Sequence, residues 1–215
     1  MAVRTKRAPA SAPRASRRPR AESGRREAIL AAALDEFSAR GFAAARLDDV
    51  ARRAGVAKGT IYLYFRDKEA LFQDLVRSII SPLIVRFETT VEIDLPARVI
   101  GERVVDLFVR EVYGTRRKDV IRLIITEGPR FPKLAEFYYR EVLSRVIAAV
   151  RALLRRAAER GEIAADALVR FPQLLVAPGL VAIIWSGLFD RFEPLDVEAL
   201  MRTHLDLLFG ERRGT

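Results

Sequence analysis

Apolar residues recur at three- and four-residue intervals from Ser23 to Phe209, almost without pause. That is the spacing of one buried face of an α-helix. No stretch alternates apolar and polar residues, and no Asn-Gly or Asp-Gly pair marks a hairpin. The chain is therefore expected to bury its apolar surface by packing helix on helix, in an all-α fold. At 215 residues it can remove roughly 70% of its unfolded surface from water, so it needs no covalent staple. It contains no cysteine and one histidine. Disulfides, thiolate metal sites, thiol nucleophiles and His-rich metal clusters are excluded on that ground. There is no glycine-rich phosphate loop and no catalytic constellation, so neither an enzyme nor a bound cofactor is expected.

Helix-stopping residues divide the pattern into about nine helices. The first covers 24–40, with Ser23 as its expected N-cap and Gly41 as its stop. Two short helices follow at 47–54 and 58–64. Asp67 is placed to cap a long fourth helix reaching Thr90, with Pro82 expected to kink it. Beyond Asp94-Leu95-Pro96 the pattern gives helices over 97–113, 118–127, 132–161, 166–189 and 195–209. The apolar run Leu174–Phe189 is shorter than the ~20 residues of a membrane span and contains Pro178, Gly179, Ser186 and Gly187. A buried helix is expected there, in a cytoplasmic protein. The N-terminus has no apolar segment of the kind a secretory signal needs.

Charge is unevenly placed. Residues 1–26 hold nine Arg or Lys and one acid, a local +8 out of a formal +10. The remaining body is nearly neutral. A low-complexity basic arm over 1–22 is expected to be disordered and suggests a polyanionic partner.

Residues 48–71 carry the chemistry. Ala51 and Gly55 stand in the Ala-x-x-x-Gly relation of a helix-turn-helix. The small Ala allows close approach, and the Gly takes a turn conformation costly to other residues. Val50, Val56 and Ile61 form the apolar wedge. The helix beginning at Lys58 then offers Lys58, Gly59, Thr60, Tyr62 and Tyr64 to a DNA groove. The ammonium would neutralise a phosphate, the glycine would permit close backbone approach, and the hydroxyls would reach phosphate or base edges. Lys68, in the first turn of the next helix, adds a phosphate contact where free N–H groups already favour an anion.

Gly41-Phe42, Asp49-Val50-Ala51, Ala54-Gly55-Val56, Lys58-Gly59-Thr60-Ile61-Tyr62, Tyr64-Phe65 and Lys68-Glu69-Ala70-Leu71 resemble the N-terminal domain of the tetracycline-repressor (TetR) family. The resemblance spans about residues 25–72. It implies a homodimer whose recognition helices enter successive major grooves of a palindromic double-stranded DNA operator. It also implies a variable C-terminal domain that binds a small-molecule effector. The segment Arg122–Leu134, with Arg130-Phe131-Pro132, is similar to the AefR-like C-terminal subgroup, which is linked to efflux regulation. Two positions depart from the family pattern. Ala45-Arg46 stands where a Ser or Thr usually opens the second helix, and Ala57 stands before Lys58 where Ser is frequent. Each change removes a hydroxyl cap worth about 0.5–2 kcal/mol. Asp48 and Asp49 compensate in part through the helix dipole, and Arg46 is the expected substitute phosphate contact.

These readings give three regions: the arm at 1–22, a helix-turn-helix domain at 23–67, and an effector-binding and dimerisation domain at 68–210. Candidate effector residues are Phe87, Leu107, Phe108, Glu111, Ile124, Phe131, Tyr138 and Trp185, which mix bulk with a few polar groups. Candidate dimer residues are Trp185, Phe189, Leu200, His204 and Leu208, on the last two helices. The expected activity is that of a transcriptional repressor released by a small lipophilic molecule. A non-specific architectural DNA-binding protein, or a regulator governed by a protein partner, are the alternatives.

Overall fold

The computed structural model describes residues 17–163 and 166–210. Among these there is no strand. The helices are α1 (Arg17–Ala44), α2 (Leu47–Arg53), α3 (Lys58–Tyr64), α4 (Lys68–Glu92), α5 (Ala97–Leu107), α6 (Arg117–Glu127), α7 (Pro132–Tyr138), α8 (Ser144–Glu159), α9 (Asp166–Arg170), α10 (Gln173–Leu188) and α11 (Val197–Phe209). A π turn at Phe108–Tyr113 extends α5, and another at Tyr139–Leu143 joins α7 to α8 without a break. No helix among the described residues is long and apolar enough to cross a membrane.

Two boundaries differ from the sequence reading. Helix α1 begins at Arg17, inside the stretch expected to be irregular, and the rest of the expected arm, 1–16, lies outside the described residues. Ser23 is therefore not an N-cap but an interior residue, and its hydroxyl donates to Glu27 one turn on, at 2.9 Å. The single helix expected over 166–189 is two, α9 and α10, broken at Phe171-Pro172. Proline lacks the N–H that would continue the ladder and pushes its predecessor out of helical geometry. Pro178, by contrast, lies inside α10 without ending it. Its missing donor orphans the carbonyl of Leu174, four residues back, and His204 Nε2 on α11 occupies that carbonyl at 2.8 Å.

Helices α1–α3 with the first turns of α4 form a head whose core is aromatic. Phe37, Phe42 and Phe72 are almost wholly buried, with ring centroids 5.4–6.1 Å apart. Tilted and edge-to-face arrangements at this spacing are favourable beyond their buried area. This cluster does not stop at the head. It continues along α4 through Leu75, Val76, Ile80 and Ile84 to Val120, Leu123, Leu134 and Phe137 of α6 and α7. Phe131 closes the joint, its ring 4.9 Å from that of Phe42. Gly41 sits at the same joint with φ 71°, and Glu127 Oε1 lies 2.7 Å from where a Cβ would be. Any side chain there would be strained by the backbone and would displace the Glu127 carboxylate.

The body, α4–α11, packs α5 on α11, α8 on α4 and α10 on α11. Its apolar clusters are smaller and separate.

Candidate nucleic-acid interface and interior cavity

The turn between α2 and α3 is closed by two backbone bonds. Gly55 N–H donates to Arg52 O at 3.2 Å and Val56 N–H to Ala51 O at 3.0 Å, with Gly55 at φ 68°. This double bond pattern ends a helix on a left-handed residue. Nothing crowds a Cβ at Gly55, so the requirement for glycine is one of backbone angle, not of space. Ala51 and Val50 are buried beneath the turn, and Ile61 anchors α3 into the head with no exposed surface. Glu36 on α1 is buried and ion-paired to Arg53 at 3.2 Å and Arg40 at 3.1 Å, which ties α1 to the end of α2.

With Ile61 and Phe65 inward, α3 shows Lys58, Gly59, Tyr62 and Leu63 to solvent. Tyr62 is 48% exposed and Leu63 85%. Thr60 is half-buried. Tyr64, one turn after Ile61, is half-buried against the head core, with its ring 6.3 Å from Phe65. It is the flank of the helix, not its exposed face, so the expected pair of projecting tyrosines is one. The two helices lacking hydroxyl caps are capped by nothing: Arg46 before α2 and Ala57 before α3 make no side-chain cap bond. Asp67 does cap α4, accepting from Ala70 N at 2.7 Å. Arg46 is exposed. Lys68 turns inward: its ammonium donates to the carbonyls of Phe42 and Ala43, both at 2.8 Å, and lies 4.8 Å from the Phe42 ring. Two of its three donors thus hold α4 to the end of α1.

One residue of this surface was not legible as part of it. Asp48, in the first turn of α2, holds Lys58 Nζ at 2.8 Å with one oxygen, and its other oxygen accepts from the Tyr62 hydroxyl at 3.3 Å. The Lys58 hydrogen bond keeps the Asp48 carboxyl below the usual carboxylate range and holds Lys58 above the usual lysine range. Ten positions separate Asp48 from Lys58, and only the folded turn brings them together.

The second feature is a cavity of about 190 Å³ inside the body. Of the eight expected effector residues, Phe87, Leu107, Phe108 and Tyr138 line it. The other four do not. Glu111 is held outside by Arg86 at 2.9 Å and Arg117 at 3.0 Å. Ile124 and Phe131 pack on the head core. Trp185 donates to Glu193 O at 2.7 Å and packs its ring 5.1 Å from Phe189, fastening the loop after α10. His204, expected at a subunit interface, lies on the cavity wall through its bond to α10. The wall also takes Ile80, Ile84, Val104, Val146, Ile183 and Met201, whose spacing is that of ordinary core. No lining residue is Asp, Glu, Lys or Arg, and Tyr138 and His204 are its polar side chains. Burial pushes the Tyr138 phenol far above its ordinary range, so it stays protonated as a donor. Both π turns contribute, through Phe108 and Val112 on one side and Val142 and Leu143 on the other. Such turns are frequent at functional sites. Among the described residues no cluster of His, Asp or Glu could hold a metal.

Comparison with known proteins accords with this geometry. The family model for bacterial regulatory proteins, tetR family, matches residues 29–75, and that for a tetracyclin repressor-like C-terminal domain matches 102–208. The second description carries no subgroup name. The chain is similar to the HTH-type transcriptional regulator RutR of Escherichia coli K12, 46% identical over 65 residues, which are 30% of this chain and 31% of RutR. It is similar to the regulator SrpR of Pseudomonas putida, 30% identical over 138 residues, 64% of this chain and 63% of SrpR. It thus spans less than two thirds of either relative. In fold it resembles the fatty acid degradation regulator FadR of Bacillus halodurans, with TM-score 0.69, 22% identity, and 89% and 97% of the two chains covered. It likewise resembles FadR of Bacillus subtilis solved with stearoyl-CoA, with TM-score 0.69, 23% identity, and 86% and 98% covered. With a helix-turn-helix at one end, a hollow helical body at the other, and both matched by models of the same family, the chain belongs to the tetR family of bacterial regulatory proteins.

Proposed function

We propose that this protein is a sequence-specific DNA-binding transcriptional repressor, released from a palindromic operator by a small lipophilic effector. The observation that carries the reading is α4. Its first turns are packed into the head by Leu71, Phe72 and Leu75, and its later turns wall the cavity with Ile84, Phe87 and Val91. A molecule that fills the cavity and favours one setting of α4 would move the head. In a dimer that movement changes the separation of two α3 helices, and half-sites about 34–36 Å apart tolerate little change. A ligand binding the released state about a hundredfold better shifts the equilibrium by roughly 2.7 kcal/mol.

In this reading Lys58 and Arg46 take phosphates, while Gly59, Thr60 and Tyr62 meet the groove. Tyr64 and Lys68 hold the helix in place and reach the backbone from its edge. The dimer forms through α10 and α11. Exposed Val181, Ile184 and Leu188 on α10 support that pairing, alongside Phe189, Leu200 and Leu208. The protein acts in the cytoplasm on chromosomal DNA, and the arm at 1–22 adds phosphate contacts.

DNase I footprinting on the DNA upstream of its own gene, with and without lipophilic compounds, tests this. The expected result is a short palindromic protection that one class of compound removes. Binding without any footprint would point to an architectural protein instead.

A further inference from the structure

Beside the apolar cavity lies a second recess of about 350 Å³, between the π turn at Tyr139–Leu143, α8 and α10. Leu143, Val176 and Leu180 line both spaces, so they form the partition between them. The two differ in chemistry. The first is walled by aliphatic and aromatic carbon. The second adds Tyr139, Ser144, Arg151 and Gln173.

Arg151 is the informative member. The other six half-buried arginines among the described residues each hold an acid or a backbone carbonyl. Arg145 grips Glu88 at 2.5 Å, for example, and Arg202 holds Asp106 at 2.7 Å. Half-buried Arg151 has no such partner among the described residues, and no carboxylate lines its recess. A guanidinium that lines a recess with neither an acid nor a carbonyl to pair it keeps its donors free for an anionic guest. Ser144, Gln173 and Tyr139 offer further donors to the same guest.

We infer that the two spaces form one site for a single-chain amphiphile with an anionic head, the chain in the apolar cavity and the head against Arg151. The inner cavity alone slightly exceeds the engineered apolar space of about 150 Å³ that accepts benzene. With the recess it falls within the range of about 300–1,000 Å³ usual for ligand sites. The inner cavity holds no Asp, Glu, Lys or Arg, whereas the recess holds Arg151, which favours insertion with the anionic head outward. This assignment rests on reading the cavity as the effector site, but it is testable without DNA.

Isothermal titration of the full chain with decanoate, 1-decanol and decyltrimethylammonium distinguishes the classes. Decanoate is expected to bind about tenfold more tightly than decanol, because a hydrogen bond to a charged group outweighs a neutral one by about that factor, and the cation not at all. Arg151→Gln should bring decanoate down to the level of decanol and leave decanol unchanged. Arg151→Lys should retain part of the difference. Circular dichroism of the ligand-free variants checks that the fold is intact. Equal affinity for decanoate and decanol, indifference of decanoate to Arg151→Gln, or no binding of either overturns the inference. Decanoate that binds as expected but leaves the footprint untouched would sustain the site and refute its role as an effector site.

Discussion

The two ends of this molecule are packed in opposite ways from similar materials. In the head, three phenylalanine rings meet over α1 and α4, and Phe131 seals them from below. In the body, Phe87 and Phe108 stand around an empty space of about 190 Å³. A protein interior is ordinarily close-packed, and a void forfeits dispersion contacts along its whole wall. The head is thus built to hold one geometry, that of α3 on α2. The body gives up packing in return for room. In the proposed reading the difference teaches where specificity resides: the head that meets DNA is fixed by rigid contacts, and the body that takes the effector by the shape of its cavity.

The comparison can be broken most sharply in the head. Phe42→Ala should destabilise the protein by about 3–5 kcal/mol, because Phe42 touches Phe37, Phe72 and Phe131 and its carbonyl receives Lys68. Urea unfolding measures this, and a loss under 1 kcal/mol would show the head to be as loosely filled as the body. Gly55→Ala should cost about 1–2 kcal/mol, the price of a left-handed angle for a residue with a Cβ. The same titration reads it, together with a loss of DNA binding from a displaced α3. In the body, Val146→Ile adds one methylene facing the cavity. Stability should change by less than about 1 kcal/mol, since the added carbon enters existing space and not a filled core. A large loss would mean the cavity closes in solution. The smallest effect on stability belongs to Asp48→Asn, whose pairs are exposed and contribute little. Its effect appears on DNA instead. With Lys58 released, the slope of log K against log salt on a random duplex should steepen by about 0.9.

The same contrast explains what the sequence could reveal. The helix-turn-helix is encoded locally. Ala51, Gly55 and Ile61 lie within eleven residues, and each has a reason to be the residue it is. The half-buried setting of Tyr64 is hard to read because a seven-residue helix shows little of its own periodicity: its place on the inner flank follows from Ile61 three residues before. The inward bonds of Lys68 are hidden from the sequence because its partners, the carbonyls of Phe42 and Ala43, are some 25 positions away. In the body, half the expected effector residues face the cavity and half do not. A leucine on a cavity wall and a leucine in a filled core have the same periodicity, so no pattern separates them. The charged candidate, Glu111, failed for a similar reason: Arg86 and Arg117 reach it from other turns. The break at Pro172 was legible in principle, since proline stops a helix more reliably than an apolar run extends one.

The central claim is that α3 presents Tyr62 and Lys58 outward while Ile61 fixes it from within. Fluorescence anisotropy with the footprinted upstream duplex and a scrambled duplex, comparing wild type with Tyr62→Ala, tests it most directly. The account predicts that the variant keeps its unfolding midpoint and its weak affinity for scrambled DNA but loses its preference for the upstream sequence. A Tyr62→Ala protein that still discriminates the two duplexes as the wild type does would contradict it.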